Sequence, residues 1–313
     1  MGEKDRLDKA RLRELLVKRD GPGLVRISVQ IIWFIASLAL GSYFYTRGMH
    51  IPMAIAILSA GMAHVTFFPP MHEAGHKTAF ATSWLNEAVM WWCCLMMLEG
   101  PTFFREFHWE HHRETQDPAL DPEIAGAPAL LDGWPTNPLV YFALVSGQML
   151  MIGKLMFTIG GALMPTAGLW EKVFPFIPEK KRRRVRLESF AVLALLGGIG
   201  ALGYLFVPGF LYLLLSIVIG HVLLGFYLMA EHTGLPNEGS QTHRTRTIES
   251  NALVRWLMWN MPYHTAHHEH PAIPFHAVPE ARAEMTPEHV TSGYIAFHIE
   301  AASRAFWLRR DAD

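Results

Sequence analysis

Long stretches without a formal charge constrain this chain most. Ile27 to Thr46 is 20 residues free of Asp, Glu, Lys and Arg, and Gly48 to His72 is 25. Ser189 to Ala230 is 42 and is broken near its middle by Pro208-Gly209. A bilayer crossing takes about 20 apolar helical residues. The last stretch therefore reads as two helices and a tight turn, and the first two as another pair joined at Arg47-Gly48. The overall balance agrees, since 18% of residues are charged against about 25% in an ordinary soluble domain. The expectation is an all-α integral membrane protein with four spans in two hairpins, at about 25–46, 50–71, 187–207 and 209–230.

Two further apolar stretches are less clear. Residues 84–98 are short and contain Glu87, and residues 138–165 carry Lys154 and several Gly. Residues 4–19 are rich in Lys and Arg, and Lys180-Lys181-Arg182-Arg183-Arg184 precede the third span. The bias of basic residues toward the cytoplasm places both there. Each hairpin then leaves and returns, bringing His72 and His232 back to the cytoplasmic face. If 84–98 or 138–165 crossed fully, a polar cluster or the basic run would land on the opposite side, so both are expected to be re-entrant or interfacial. The remainder, about 72–137 and 231–313, is a cytoplasmic cap with both termini cytoplasmic. With no internal repeat beyond the helix pairs and no low-complexity linker, 1–313 reads as a single domain.

Several classes drop out early. The net charge is −1, so no global field draws nucleic acid. The opening MGEKDRLDKARLRELLVKRD is too charged for a secretory signal. Cys93 and Cys94 are adjacent in an apolar run, where disulfide geometry is rarely met, and read as packing residues.

Seventeen His in so apolar a chain is the anomaly. His72-Glu73-Ala74-Gly75-His76 places two rings at i and i+4, on one helix face. His108-Trp109-Glu110-His111-His112 and His264-Thr265-Ala266-His267-His268 repeat an HxxHH spacing whose i, i+3 and i+4 positions again share one face, and Glu231-His232-Thr233-Gly234 ends the fourth span. Chance gives only about 0.05 HxxHH matches in a chain of this size. Surface imidazoles at the headgroup level are the competing reading. His50, His270, His276, His289 and His298 read as structural. His64 and His221 lie inside spans, where ionisable groups are functional candidates, but satisfied neutral rings fit equally. His243 sits in a polar loop as an outer ligand or a surface residue.

The clusters and His232 supply nine imidazoles. One zinc takes four ligands, so nine suit two ions with four or five each. Imidazole suits Fe, Zn, Cu and Ni alike. Glu73, Glu110 and Glu231 each neighbour such a histidine and could orient it, or be plain helix-surface or interfacial carboxylates. Trp91-Trp92-Cys93-Cys94-Leu95-Met96-Met97 could line an apolar tunnel, although packing or lipid contact is the commoner use. Arg105, Arg113 and the segment from Asp117 to Glu123 could meet a polar head group or be surface charge.

At these residues the chain resembles the membrane fatty-acid desaturase superfamily, with its boxes HxxxH, HxxHH and HxxHH and a further histidine between the last two. Here they read HEAGH, HWEHH, EHTG and HTAHH, and the flank WNMPYHTAHHEHPAIPFH is similar to bacterial members. The likeness covers about residues 25–290. It implies a non-haem di-iron centre on the cytoplasmic side of a four-helix stem, with O2 as co-substrate. The implied ligands are His72, His76, His108, His111, His112, His232, His264, His267 and His268, with no catalytic residue beyond them. It implies oxidation of an unactivated C–H bond, first of all desaturation of a fatty acyl or lipid chain. Hydroxylase, monooxygenase or ketolase action on an aliphatic, carotenoid or small-molecule substrate is the alternative within the superfamily. No cytochrome-like or ferredoxin-like stretch is appended, so electrons are expected from a separate ferredoxin, rubredoxin or cytochrome with its reductase.

Two readings compete from other classes. HEAGH also satisfies the HExxH pattern of zinc metalloproteases, and Leu131-Asp132-Gly133 resembles the motif that gives intramembrane proteases a third ligand. That reading leaves both HxxHH clusters and His232 unused. A metal carrier or sensor is the other, but a transporter places ligands along a path at mid-membrane, not at one face.

Overall fold

The structure, a computed structural model, describes residues 7–307. The basic N-terminal stretch and the expected 1–313 domain both extend into 1–6 or 308–313, which lie outside the described residues. α1 (Lys9–Leu15) starts where the Asp8 carboxylate accepts from the Ala10 and Arg11 amides, a standard N-cap. α2 (Asp20–Thr46) and α3 (His50–Val65) follow, joined through Gly48 at φ 66°. α3 stops at Thr66, whose hydroxyl donates to the Ala63 carbonyl at 2.6 Å. The chain resumes at once as α4 (Phe68–His76), with Pro69 and Pro70 in its first turn, where a missing N–H costs nothing. Then come α5 (Ser83–Met96), α6 (Pro101–Glu114) and the single turn α7 (Pro128–Leu131).

α8 (Pro138–Val145) and α9 (Gln148–Leu163) are bent by 57° at Ser146-Gly147, the shape of a broken span or a re-entrant loop. α10 (Ala167–Val173) leads into α11 (Glu179–Phe206), and Gly209 turns the chain into α12 (Phe210–Leu213) and α13 (Leu215–His232). The remainder is α14 (Gln241–Arg244), β1 (Arg246–Ile248), α15 (Ala252–Leu257), α16 (His264–Glu269), α17 (Val278–Ala283), β2 (His289–Thr291) and α18 (Tyr294–Phe306).

Four segments are long and apolar enough to cross a membrane: Asp20–Thr46, His50–His76, Glu179–Phe206 and Phe210–His232. All four spans expected from charge gaps are present as helices, and their limits shift. Two begin earlier, because interfacial Arg and Lys continue a helix by running their stems along apolar surface. The second runs on to His76, so HEAGH lies at the end of a continuous membrane-length segment. The all-α expectation needs one amendment. β1 and β2 form a two-stranded parallel sheet pairing Arg246 with His289 and Ile248 with Thr291, too short to show a period of two.

α2 packs along α3, α3 along α13, and α9 against both α11 and α13. The outward faces carry large exposed apolar residues such as Ile32, Ile51, Leu195, Leu205 and Phe206. A patch of that extent marks a surface meant for another apolar phase. Beneath the histidine boxes lies the main core, built from Phe67, Met71, Met90, Cys93, Met97 and Trp259. Cys93 and Cys94 are free and buried, the packing role expected of them.

Candidate metal centre

Four elements deliver the histidines. His72 and His76 lie on the last turns of α4, directly continuing a membrane-length segment, and His232 is the last residue of α13. His264, His267 and His268 occupy α16, and His108, His111 and His112 the C-terminal half of α6. α6 has no cap of its own at Gly100. Glu188 of α11 serves instead, its carboxylate accepting from the Thr102 amide at 2.6 Å and the Thr102 hydroxyl at 2.9 Å. A negative group at a helix N-terminus satisfies free amides and suits the dipole. That contact fixes the axis of α6 relative to the stem.

The nine rings form two abutting groups of nitrogen atoms. His72, His76, His108, His112 and His267 make one, and His111, His232, His264 and His268 the other. In the first, Nε2 of His108 is 2.8 Å from Nε2 of His76 and 3.0 Å from that of His112, and His112 and His267 are 3.2 Å apart. In the second, Nε2 of His232 is 2.8 Å from that of His264 and 3.2 Å from that of His111. The groups touch where the rings of His112 and His268 stack at 4.1 Å.

Each HxxHH box is divided between the groups, although the spacing suggested one face for all three rings. In α6 the i, i+4 pair His108 and His112 faces one group and His111 the other. In α16 the pair His264 and His268 faces the second group and His267 the first. A residue advances about 100° around the helix axis, so i and i+4 differ by about 40° while i+3 falls about 60° to the other side. One short helix can thereby reach two centres.

The donor set fits metal ions. Imidazoles that aim their Nε2 atoms at one another cannot pair them all, since a neutral ring nitrogen either carries one proton or accepts one. Nε2 of His72 and Nε2 of His268, one from each group, are buried with no hydrogen-bond partner. Such groups cost free energy unless something satisfies them. Ligand nitrogens bound at about 2.1 Å and at right angles to each other sit about 3 Å apart, the spacing found here. Burial, reinforced by neighbouring rings, holds His108, His112, His264 and His268 well below the usual imidazole range. They are neutral, the form in which imidazole binds metal.

Outer contacts orient several rings. Nδ1 of His232 donates to the Arg244 carbonyl at 2.9 Å, leaving Nε2 free to face the group. Nδ1 of His111 lies 3.0 and 3.1 Å from the two oxygens of buried Asp121. Burial opposes protonation of His111, but the charges of Asp121, Glu123 and Glu231 outweigh it and push the ring up to about 9. Glu73 is held through one oxygen by the Thr78 hydroxyl at 2.8 Å and the Phe275 amide at 3.1 Å. Its other oxygen faces Nδ1 of His72 at 3.7 Å and of His267 at 3.8 Å, rings from two different boxes. Glu231 faces Nδ1 of His264 at 3.5 Å.

The remaining candidates lie elsewhere. Glu110 pairs with Arg113 on the outer side of α6. His243 is exposed beside Glu288 at 2.7 Å, outside both groups. Asp132 is also outside them, accepting from Asn237 at 3.3 Å. His64 bonds the Met96 carbonyl and His221 the Ile217 carbonyl, as structural rings do. Sequence reasoning did not single out Asp121, Glu188 or Arg244 as supports of the histidines. Asp121 lay in a segment read as headgroup contact or surface charge, and the other two act from far along the chain.

A sequence profile described as fatty acid desaturase matches residues 49–298. A sphingolipid delta(4)-desaturase of Drosophila melanogaster, DES1, is 24% identical over 245 residues, covering 74% of this chain and 67% of its own length. A sphingolipid delta(4)-desaturase/C4-monooxygenase of Mus musculus, DES2, is 26% identical over 223 residues, covering 70% and 61%. A sphingolipid delta(4)-desaturase of Candida albicans is 25% identical over 280 residues, covering 80% and 68%. The matched region thus spans about two thirds of these relatives' lengths.

Proposed function

This chain belongs to the fatty acid desaturase family, and from that membership we propose that it is an O2-dependent membrane oxidoreductase that desaturates a lipid chain at a di-iron centre. The observation that carries this reading is the pair of abutting groups of five and four inward-facing imidazoles at the ends of membrane-length helices. His72, His76, His108, His112 and His267 would hold one ion, and His111, His232, His264 and His268 the other. Two redox-active ions so placed would supply the means to reduce O2 and to oxidise an unactivated C–H bond.

Electron counting sets what else is needed. Reducing O2 to two waters takes four electrons, and converting a CH2–CH2 unit to an alkene yields two. The other two come from a donor, which we assign to a separate ferredoxin, rubredoxin or cytochrome with its reductase. Hydroxylation makes the same demand on the donor, and the relatives named desaturase/C4-monooxygenase favour it as the second reading. Which reaction follows depends on how the C–H bonds are positioned.

The protein's own residues prepare the site. His72, His76 and His232 sit on helices that emerge from the stem, so a chain lying in the bilayer reaches them without leaving an apolar phase. Phe68 packs on His72 and Phe104 on His108, both rings buried. They exclude water from that side, which strengthens electrostatic interactions within. Glu73, Asp121, Glu231 and the Arg244 carbonyl fix ring orientation.

The topology proposed is four spans in two hairpins, with histidines, basic residues and both termini cytoplasmic, in one domain. Contacts at the helix ends support it. Asp20 at the start of α2 accepts from Thr82 at 2.6 Å, and Lys181 near the start of α11 pairs with Glu106 of α6. The N-terminal ends of α2 and α11 therefore share a level with the C-terminal ends of α4 and α13.

The test is metal analysis with iron Mössbauer spectroscopy on detergent-purified protein, before and after dithionite and O2, then mass spectrometry of lipids from expressing cells. About two coupled, O2-reactive irons per chain and a lipid lighter by two hydrogens are expected. A lipid heavier by one oxygen selects hydroxylation. One zinc and no iron after growth in iron-rich medium would overturn the oxidase reading and return HEAGH to the protease alternative.

A further inference from the structure

Eight of the nine imidazoles of the proposed centre are buried and His232 is partly exposed, and the donor assigned to it is a separate protein in the aqueous phase. Electrons must therefore cross the protein shell, and transfer rates fall exponentially with the distance tunnelled. The rings packed on the nine histidines show where an aromatic side chain bridges that shell. Phe68 at 7% and Phe104 at 5% exposure face inward. Trp109 is different. It is 36% exposed, and its indole packs edge-on against His76 at 4.7 Å between centroids and lies 6.0 Å from His112.

Among the described residues it is the one exposed aromatic side chain, histidines aside, with ring contacts to members of the nine. Both rings it meets belong to the group of five. The geometry arises from α6 itself. His108 and His112 point inward and Trp109 lies about 100° around the helix from His108, far enough to reach the surface while its edge stays against the inner rings. A Trp on a membrane protein is often a headgroup anchor, but an anchor needs no contact with metal-binding imidazoles.

We propose that Trp109 is the port through which electrons pass from the external one-electron donor into the group formed by His72, His76, His108, His112 and His267. The reduced donor protein loses one electron per encounter and a ferric ion gains it. Two encounters supply the two electrons each turnover requires. The indole is neither oxidised nor reduced overall and provides a conjugated path between the surface and the His76 and His112 rings. Association with such a donor is expected to be brief and small in area, as redox encounters are, with an exposed Trp at its centre.

This inference rests on the di-iron reading, and its test separates the two. The natural donor is unidentified, so a ruthenium polypyridyl photosensitiser replaces it, attached to an Arg113→Cys variant of the full chain. Arg113 is exposed one turn beyond Trp109, and the native Cys93 and Cys94 are buried and do not compete for the label. Flash photolysis of the oxidised, iron-loaded protein then reads the rate of ferric reduction with Trp, Phe or Leu at 109, and iron content is measured on every sample. The same label at Glu238→Cys, on the loop beyond His232, is the control.

Expected from Arg113→Cys is a slowing of about tenfold or more in Trp109→Leu, with substantial recovery in Trp109→Phe, unchanged iron content and no change from Glu238→Cys. If Trp109→Leu loses iron, Trp109→Phe decides: iron retained with a rate restored toward that of Trp supports the port, and a Leu-like rate overturns it. Equal rates at full iron loading overturn the assignment while leaving the di-iron reading intact. No iron in any variant, Trp109 included, overturns both.

Discussion

Asp121 and His111 meet in a buried carboxylate–imidazole pair, with Nδ1 lying 3.0 Å from one carboxylate oxygen and 3.1 Å from the other. The pair keeps a proton on Nδ1 of His111 and turns Nε2, whose proton a bound metal would displace, toward His232. The same carboxylate accepts from the Gln116 and Glu123 amides at 2.8 and 3.0 Å, so the loop after α6 folds around it. A metal-binding histidine deprived of such a partner typically costs 10- to 100-fold in affinity. Asp121→Ala should therefore lower the affinity of the group of four by about that factor and leave the group of five loaded. Metal analysis after dialysis against a weak chelator should fall from about two irons per chain toward about one, with Asp121→Asn intermediate. Full retention of both ions in Asp121→Ala would show that the pair only shapes the loop.

Division of each HxxHH box between two groups gives a second expectation. His108→Ala removes the residue whose Nε2 approaches two partners in the group of five. His111→Ala removes a member of the other group three positions on. Each should abolish lipid oxidation, and each should deplete a different ion, which Mössbauer spectra of the two variants can distinguish. Retained hydrolytic activity in His108→Ala would instead be the mark of a protease using His72 and His76 alone. Identical spectra would refute the division.

The stem was legible in the sequence because hydropathy over 20 or more residues is a collective signal that a few substitutions do not erase. The three histidine boxes were legible because their spacing repeats, and His232 through its place at the end of a span. Their division was not, since it depends on how α6 and α16 are rotated about their axes, which packing sets. Helix limits moved for a related reason. Charged residues look like boundaries in a sequence, whereas Arg26 continues α2 with its guanidinium 4.8 Å from the Phe275 ring centre. Asp121, Glu188 and Arg244 carry no motif, and only the folded chain brings Glu188 to the start of α6. The strand pair is too short to show periodicity.

Glu188 yields a stability prediction with a functional consequence. It satisfies the Thr102 amide and hydroxyl and also accepts from Arg184 one turn away at 2.7 Å. Glu188→Ala should cost about 1–2 kcal/mol from loss of the cap and let α6 rotate or fray at its start. Because α6 carries members of both groups, iron content should fall together with the apparent Tm in detergent. Glu188→Gln keeps an acceptor and should restore most of both. A stable Glu188→Ala protein with two tightly held irons would show that α6 is held by its apolar contacts alone.

Gly147 sets the bend between α8 and α9, and it tests whether that bend is an essential part of the stem. Its φ is 65°, and a Cβ there would lie 1.7 Å from the His221 carbonyl oxygen on α13. That atom belongs to the backbone of a spanning helix and cannot move aside as a side-chain end could. Gly147→Ala thus combines a left-handed backbone, worth about 1 kcal/mol against an L-residue, with overpacking worth about 1–3 kcal/mol more. Six residues on, in the regular part of α9, Gly153 has nothing within 4 Å of a hypothetical Cβ. Gly153→Ala should be neutral or stabilising by up to about 1 kcal/mol, the helix preference of Ala over Gly. The pair is matched in chemistry and in helix, so comparing their thermal midpoints removes any general effect of a methyl group in this region. A large loss for Gly147→Ala beside a gain for Gly153→Ala is the expected result. Equal midpoints would mean that α8 and α9 can straighten away from α13 without cost, and the bend would then have no part in holding the stem together.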